Sequence, residues 1–174
     1  MEKQGPFYRQ FNSLTNVMTA GFKTKNDSRQ EMKDGSLTTT LLPSILVVDD
    51  DPSVLEMLHD ALDLWGFDVF LAKNGREGLH VLATQKVDGI LVDMDMPVMD
   101  GLTMLDELRW LGYPTPLVIM SGGVKVLSQN QVRKEGAQGF MSKPFSLSFL
   151  REVCTTMFQK QGVDGLSADH SHVA

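Results

Sequence analysis

Four short apolar runs in this chain each stop abruptly at a polar or charged residue. They are Ile45 to Val48 before Asp49, Gly89 to Val92 before Asp93, Leu117 to Met120 before Ser121, and Phe140-Met141 before Lys143-Pro144. Runs this short cannot be helices, and unbroken hydrophobicity means burial on both faces, as in a parallel strand covered by helices. Helical spacing fills the gaps. Val54, Leu55, Leu58, Ala61, Leu62 and Trp65 mark a first helix that opens at Pro52 and stops at Gly66. Phe67 to Leu71 reads as a further strand, and Asn74 to Thr84 as a helix with Leu79 and Leu82 inward. Leu102, Leu105, Leu108 and Leu111 predict a third helix and Val124 to Glu135 a weaker fourth, stopped by Gly136. Leu147, Leu150, Val153, Cys154, Met157 and Phe158 predict the last.

Five strand–helix pairs in succession point to an α/β fold, a doubly wound parallel sheet with helices on both faces. Right-handed crossovers leave few topologies, and the flavodoxin-like strand order 2-1-3-4-5 is the expected one. In such sheets the functional crevice lies beyond the carboxyl ends of the strands, at the switch point between strands 1 and 3. Asp49 and Asp50, Asp93, Ser121 and Lys143 stand at those ends. Three carboxylates, a hydroxyl and an ammonium are therefore expected to converge. Carboxylates this close repel one another unless a positive charge intervenes. An all-oxygen donor set suits Mg²⁺, with Mn²⁺ as a substitute.

These residues resemble the response-regulator receiver domain of two-component signalling, over roughly residues 44–160. The segments that carry the likeness are ILVVDDDPSVLEML, DGILVDMDMPVMDG, VIMSGG and GFMSKPF, in that order and each at a strand end. The resemblance implies that Asp93 is the phosphoacceptor, forming an aspartyl phosphate by nucleophilic attack. It implies that Asp50 and Asp93 bind Mg²⁺ directly, Asp49 through water, and Asp95 through its backbone carbonyl. Lys143 would pair with Asp93 at rest and with the phosphoryl oxygens afterwards. Ser121 and Phe140 would be the switch hydroxyl and switch aromatic, and the Lys143–Pro144 peptide would be cis. The phosphodonor would be a sensor histidine kinase or a histidine phosphotransfer protein. The output would be the face built from the fourth helix, fifth strand and fifth helix, read by a downstream protein target that the sequence does not name. The chain departs from the pattern in having Ser121 for threonine, Phe140 for tyrosine, and an acid at Asp95.

Outside that segment the sequence changes character. Residues 1–43 carry six basic and four acidic side chains, show no strand-like run, and read as a polar extension, largely disordered, with Thr38 to Thr40 as linker. One pattern interrupts this: Phe7, Phe11, Leu14, Met18 and Phe22 recur at the spacing of one helix face. It is either a chance stripe or a helix that docks on a partner or on a second copy. Residues 161–174 read as a flexible tail. The net charge of −6 argues against a protein that coats nucleic acid, and no direct DNA binding is expected. One cysteine excludes a disulfide framework. With no secretory signal and no membrane span, the expected compartment is the cytoplasm. Nothing after Lys160 is long enough for an output domain, so a stand-alone receiver without a catalytic output is expected.

Milder readings attach to several of these residues. Asp51 and Asp100 are read as helix caps, His59 and His80 as structural, Met94, Met96 and Met99 as loop packing, and Cys154 as core. Two other functions compete with the receiver. Asp93-Met94-Asp95 fits the Asp-x-Asp fragment of a haloacid-dehalogenase-type phosphatase, in which the second acid protonates the leaving group. A pseudo-receiver that is never phosphorylated and acts as a scaffold is the other.

Overall fold

The computed structural model describes residues 29–33, 36–40, 43–122 and 134–158. Its centre is a five-stranded parallel sheet. After a separate hairpin, β1 (Arg29–Lys33) and β2 (Ser36–Thr40), the chain runs β3 (Ser44–Val48), α1 (Pro52–Leu64), β4 (Asp68–Ala72), α2 (Gly75–Thr84), β5 (Gly89–Asp93), α3 (Gly101–Trp110), β6 (Leu117–Ser121), β7 (Gly139–Ser142) and α4 (Leu147–Phe158). The sheet order is β4-β3-β5-β6-β7, all parallel, which is the 2-1-3-4-5 order expected for these five strands.

The three central strands, β3, β5 and β6, are buried at every position. Two apolar layers flank them. One gathers Leu46, Val48, Ile90, Val92 and Ile119 with Leu79, Met104 and Leu108, drawn from α2 and α3. The other gathers Ile45, Val47, Leu91, Val118 and Met120 with Leu58, Leu62, Leu150 and Cys154, drawn from α1 and α4. Strand alternation explains the division, since successive side chains leave the sheet on opposite faces.

Helix starts follow their caps. Asp51 accepts the Ser53 N–H at 2.8 Å and Pro52 opens α1. Asp100 accepts the Thr103 N–H at 2.8 Å at the head of α3. Asn74 is the cap of α2 rather than its first residue: it exchanges hydrogen bonds with Glu77, and Glu77 also accepts the Lys73 N–H.

Three expectations need correction. The strand after α1 begins at Asp68, not Phe67, because Phe67 turns into the core with its N–H on the Leu62 carbonyl. On α3 the inward face is Gly101, Met104, Leu105 and Leu108, while Leu111 lies past the helix end and is exposed. Residues 29–33 and 36–40, read as strandless, pair as two antiparallel strands, Arg29 with Thr40 and Lys33 with Ser36. The dipeptide Asp34-Gly35 between two β-capable runs was the available signal for it. The apolar stripe of residues 7–22, nearly all of the fourth helix and the C-terminal tail lie outside the described residues. Among the described residues no helix is long and apolar enough to cross a membrane.

Candidate functional site

The carboxyl ends of β3, β5 and β7 meet around one ammonium. Lys143 Nζ lies 2.6 Å from Asp49 Oδ2 and 2.6 Å from Asp93 Oδ1. Both acids are buried, at 1% and 6% exposure. Register brings them together, because Val48 pairs with Val92 across β3 and β5, so the next residues, Asp49 and Asp93, emerge side by side. Lys143 follows β7, and its backbone N–H donates to the Ser121 carbonyl at 2.7 Å, joining that strand end to β6. The Lys143–Pro144 peptide is cis.

Each acid spends its second oxygen on a neighbouring backbone N–H. Asp49 Oδ1 accepts from Asp51 at 3.0 Å, and Asp93 Oδ2 accepts from Asp95 at 2.9 Å. The electrostatics of the pair are opposed. Burial is the strongest influence on Asp49 and raises its pKa above the usual 3.8, against the pull of Lys143 and the Asp51 N–H; the charge of Asp93 pushes the same way as burial. Burial is also the largest single influence on Lys143 and lowers its pKa, but the hydrogen bonds and charges of both acids together outweigh it and leave the pKa raised above 10.5. The site therefore holds two buried carboxylates and one ammonium, an acidic balance that favours a further cation.

The remaining candidates are placed as follows. Ser121 is buried at the end of β6. Phe140 is half-buried on β7 and packs on the α2–α3 side of the sheet. Asp95 is exposed on the loop after β5, held there by its N–H bond to Asp93. Asp50 is exposed. Among the described residues, no three His, Cys, Asp or Glu side chains are arranged to hold a metal ion. The expected convergence of three carboxylates is thus met by Asp49 and Asp93, with Lys143 between them and Asp50 turned to solvent. This oxygen-only set still suits Mg²⁺, which uses one or two carboxylates and keeps waters and phosphate oxygens in its shell.

The loop from Met94 to Asp100 shapes the mouth of the crevice. Met94, Met96 and Met99 are buried in the core. Val98, 72% exposed, has φ +69°, with Met99 N–H on the Pro97 carbonyl at 2.8 Å, a γ-turn. The sequence reading missed this strained position and also missed Arg109. The Arg109 guanidinium donates to the carbonyls of Gly136, Tyr113 and Thr115 and to Gln138, tying the end of α3 to the loops before β6 and β7. Cys154 is buried on α4, where burial pushes its thiol up to about 12.

A doubly wound sheet with a lysine-bridged pair of aspartates at its switch point defines the class: an α/β domain whose polar crevice lies at the carboxyl ends of its strands. Comparison with known proteins gives the family. Residues 45–155 match the response regulator receiver domain, and the chain belongs to that family of two-component signalling. That match spans both Asp49 and Asp93 and replaces the dehalogenase-type reading. Similar proteins include Regulatory protein AtoC of Escherichia coli, 36% identical over 71% of this chain and 27% of its own length. Transcriptional regulatory protein PrrA of Mycobacterium tuberculosis is 32% identical over 74% of this chain and 55% of its own length. The chain thus spans about a quarter to just over half of these relatives. Among solved structures, the Francisella response regulator 1452 receiver domain superposes with TM-score 0.63 at 29% identity, over 67% of this chain and 96% of that one. The chemotaxis protein CheY4 of Vibrio cholerae gives 0.62 at 28%, over 67% and 98%.

Proposed function

We propose that this receiver is a phosphoacceptor whose Asp93 takes a phosphoryl group from a phosphohistidine donor, either a sensor histidine kinase or a histidine phosphotransfer protein. The observation that carries the reading is Lys143 poised between Asp49 and Asp93 at 2.6 Å from each. Phosphoryl transfer needs positioning and neutralisation of charge more than covalent help from the protein. Lys143 neutralises charge at the nucleophile and stays close enough to follow it onto the incoming phosphoryl oxygens. Asp93 forms the new O–P bond, and the donor imidazole leaves with the electron pair of the broken P–N bond.

Asp50, Asp93 and the Asp95 carbonyl would hold Mg²⁺, with Asp49 acting through water. When bound, the ion supplies charge stabilisation at the transferring group. Asp49, ion-paired with Lys143 at 2.6 Å, keeps that ammonium aimed at Asp93. Ser121, at the adjacent strand end, would donate its hydroxyl to the phosphoryl group. Phe140 on the neighbouring strand then responds to the movement of that hydroxyl. The added charge of nearly −2 resets the surface around β7 and α4 for a protein target. The domain works in the cytoplasm and signals by protein contact.

The test is phosphoryl incorporation from a small-molecule phosphodonor with Mg²⁺. Wild type takes up label and loses the capacity on chelation, and Asp93→Asn stays unlabelled while keeping its fold. Wild type that stays unlabelled supports the scaffold reading instead. Capture of a partner with and without beryllofluoride then identifies the output.

A further inference from the structure

Trp65 closes the C-terminal end of α1, with the Arg151 guanidinium 5.8 Å from its ring centroid. Trp65, Leu147, Ser148, Arg151, Glu152 and Thr155 line an open groove of about 500 Å³ between that end of α1 and α4. Leu64, the residue before Trp65, is 82% exposed. The exposed side of α1 is acidic, carrying Glu56, Asp60 and Asp63 with no lysine or arginine along the helix.

The chain enters the sheet next to this groove. The Asp68 N–H donates to the Pro43 carbonyl at 3.0 Å, immediately after the Trp65-Gly66-Phe67 turn. The hairpin pairs Arg29 with Thr40, so it returns residue 29 to within one strand spacing, roughly 5 Å, of residue 40. From Thr40 to Ser44 the chain can span at most about 14 Å. Residues 1–28 are therefore tethered close to the corner that carries Trp65, and a short tether raises the local concentration into the millimolar range. That segment holds Phe7, Phe11, Leu14, Met18 and Phe22 at helix-face spacing, and Lys3, Arg9, Lys23 and Lys25 against Glu2 and Asp27. Its net positive charge complements the acidic α1.

We propose that residues 7–22 dock their apolar stripe on this groove of the same chain, covering Trp65 and Leu64, with their basic flanks against α1. The interaction is of the helix-in-groove kind and is independent of the phosphoacceptor chemistry. A single-tryptophan form of the full chain, Trp110→Phe, makes Trp65 the reporter. Acrylamide quenching of Trp65 is several-fold weaker with the native arm than with Phe11→Asp/Leu14→Asp/Met18→Asp, and the protection does not change with protein concentration. A second reading comes from Leu64→Asp, which exposes Lys23 and Lys25 to trypsin while circular dichroism shows an unchanged fold. Equal quenching with and without the arm substitutions overturns the proposal. So does protection that grows with concentration, which assigns the groove to a second copy, or tryptic cleavage unaffected by Leu64→Asp.

Discussion

Gly101 sits against the backbone of Asp93. A β-carbon at position 101 would collide with the Asp93 carbonyl oxygen and stand 3.2 Å from the Met94 α-carbon. The same glycine donates its N–H to the Met94 carbonyl at 3.1 Å, so the head of α3 is clamped to the end of the strand that carries Asp93. Gly101→Ala pushes α3 away from β5. The expected loss is about 1–3 kcal/mol of stability, as for other overpacked sites. It also slows phosphorylation of Asp93, because the loop that positions it shifts. Urea unfolding and phosphoryl incorporation measure the two effects separately.

Removing the ammonium that joins Asp49 to Asp93 costs stability in a pH-dependent way. Lys143→Ala leaves two buried carboxylates facing each other, at an expected cost of about 1–3 kcal/mol near neutral pH. Asp49 has a folded-state pKa above its ordinary 3.8, so it binds its proton more tightly folded than unfolded, and stability rises as pH falls through that window. The penalty in the variant therefore shrinks on acidification. Lys143 in the wild type has the same sign in a different window: its contribution is complete below 10.5 and is lost as pH climbs through its raised folded value. Denaturation curves of both proteins across pH check both windows.

Val98 holds a positive φ that a β-branched side chain adopts only under strain. Its side chain is largely in solvent, so little packing is lost on replacement. Val98→Asn, which tolerates this conformation, is expected to stabilise the domain by about 1 kcal/mol. Thermal unfolding reads the gain.

Arg109 is the clamp between α3 and the turn at Gly136. Arg109→Met leaves the carbonyls of Gly136, Tyr113 and Thr115 without this donor, and at least about 1.5 kcal/mol of stability goes with it. Amide exchange quickens at residues 136–138 before it does in β5. Equal acceleration in both places would mean that the clamp acts on the whole domain rather than on that turn.

The sheet and its polar strand ends could be read from the chain because buried parallel strands leave an unmistakable mark. Ile45 to Val48 and Leu117 to Met120 have no other use than to be covered on both sides. Helix edges were harder: Asn74 caps α2 through its side chain, which periodicity does not register. The hairpin escaped because Thr38 to Thr40 was weighed for polarity and not for β-branching. In the site, Asp93, Asp49 and Lys143 were visible as strand ends. That Lys143 divides itself between both acids was not, since it depends on where a flexible side chain comes to rest. The metal-ligand role of Asp50 came from the resemblance and not from periodicity, which does not distinguish it from the exposed Asp51 beside it. Arg109 gave no signal, because its partners are backbone carbonyls, which look alike in any sequence.

The most direct measurement locates the phosphoryl group itself. Protein treated with a small-molecule phosphodonor and Mg²⁺ is trapped, digested and mapped by mass spectrometry. The account predicts a single acyl phosphate in the peptide carrying Asp93, absent when Mg²⁺ is chelated. A phosphoryl group on Asp49, Asp50 or Asp95 with Asp93 unmodified, or none on any of them, would contradict it.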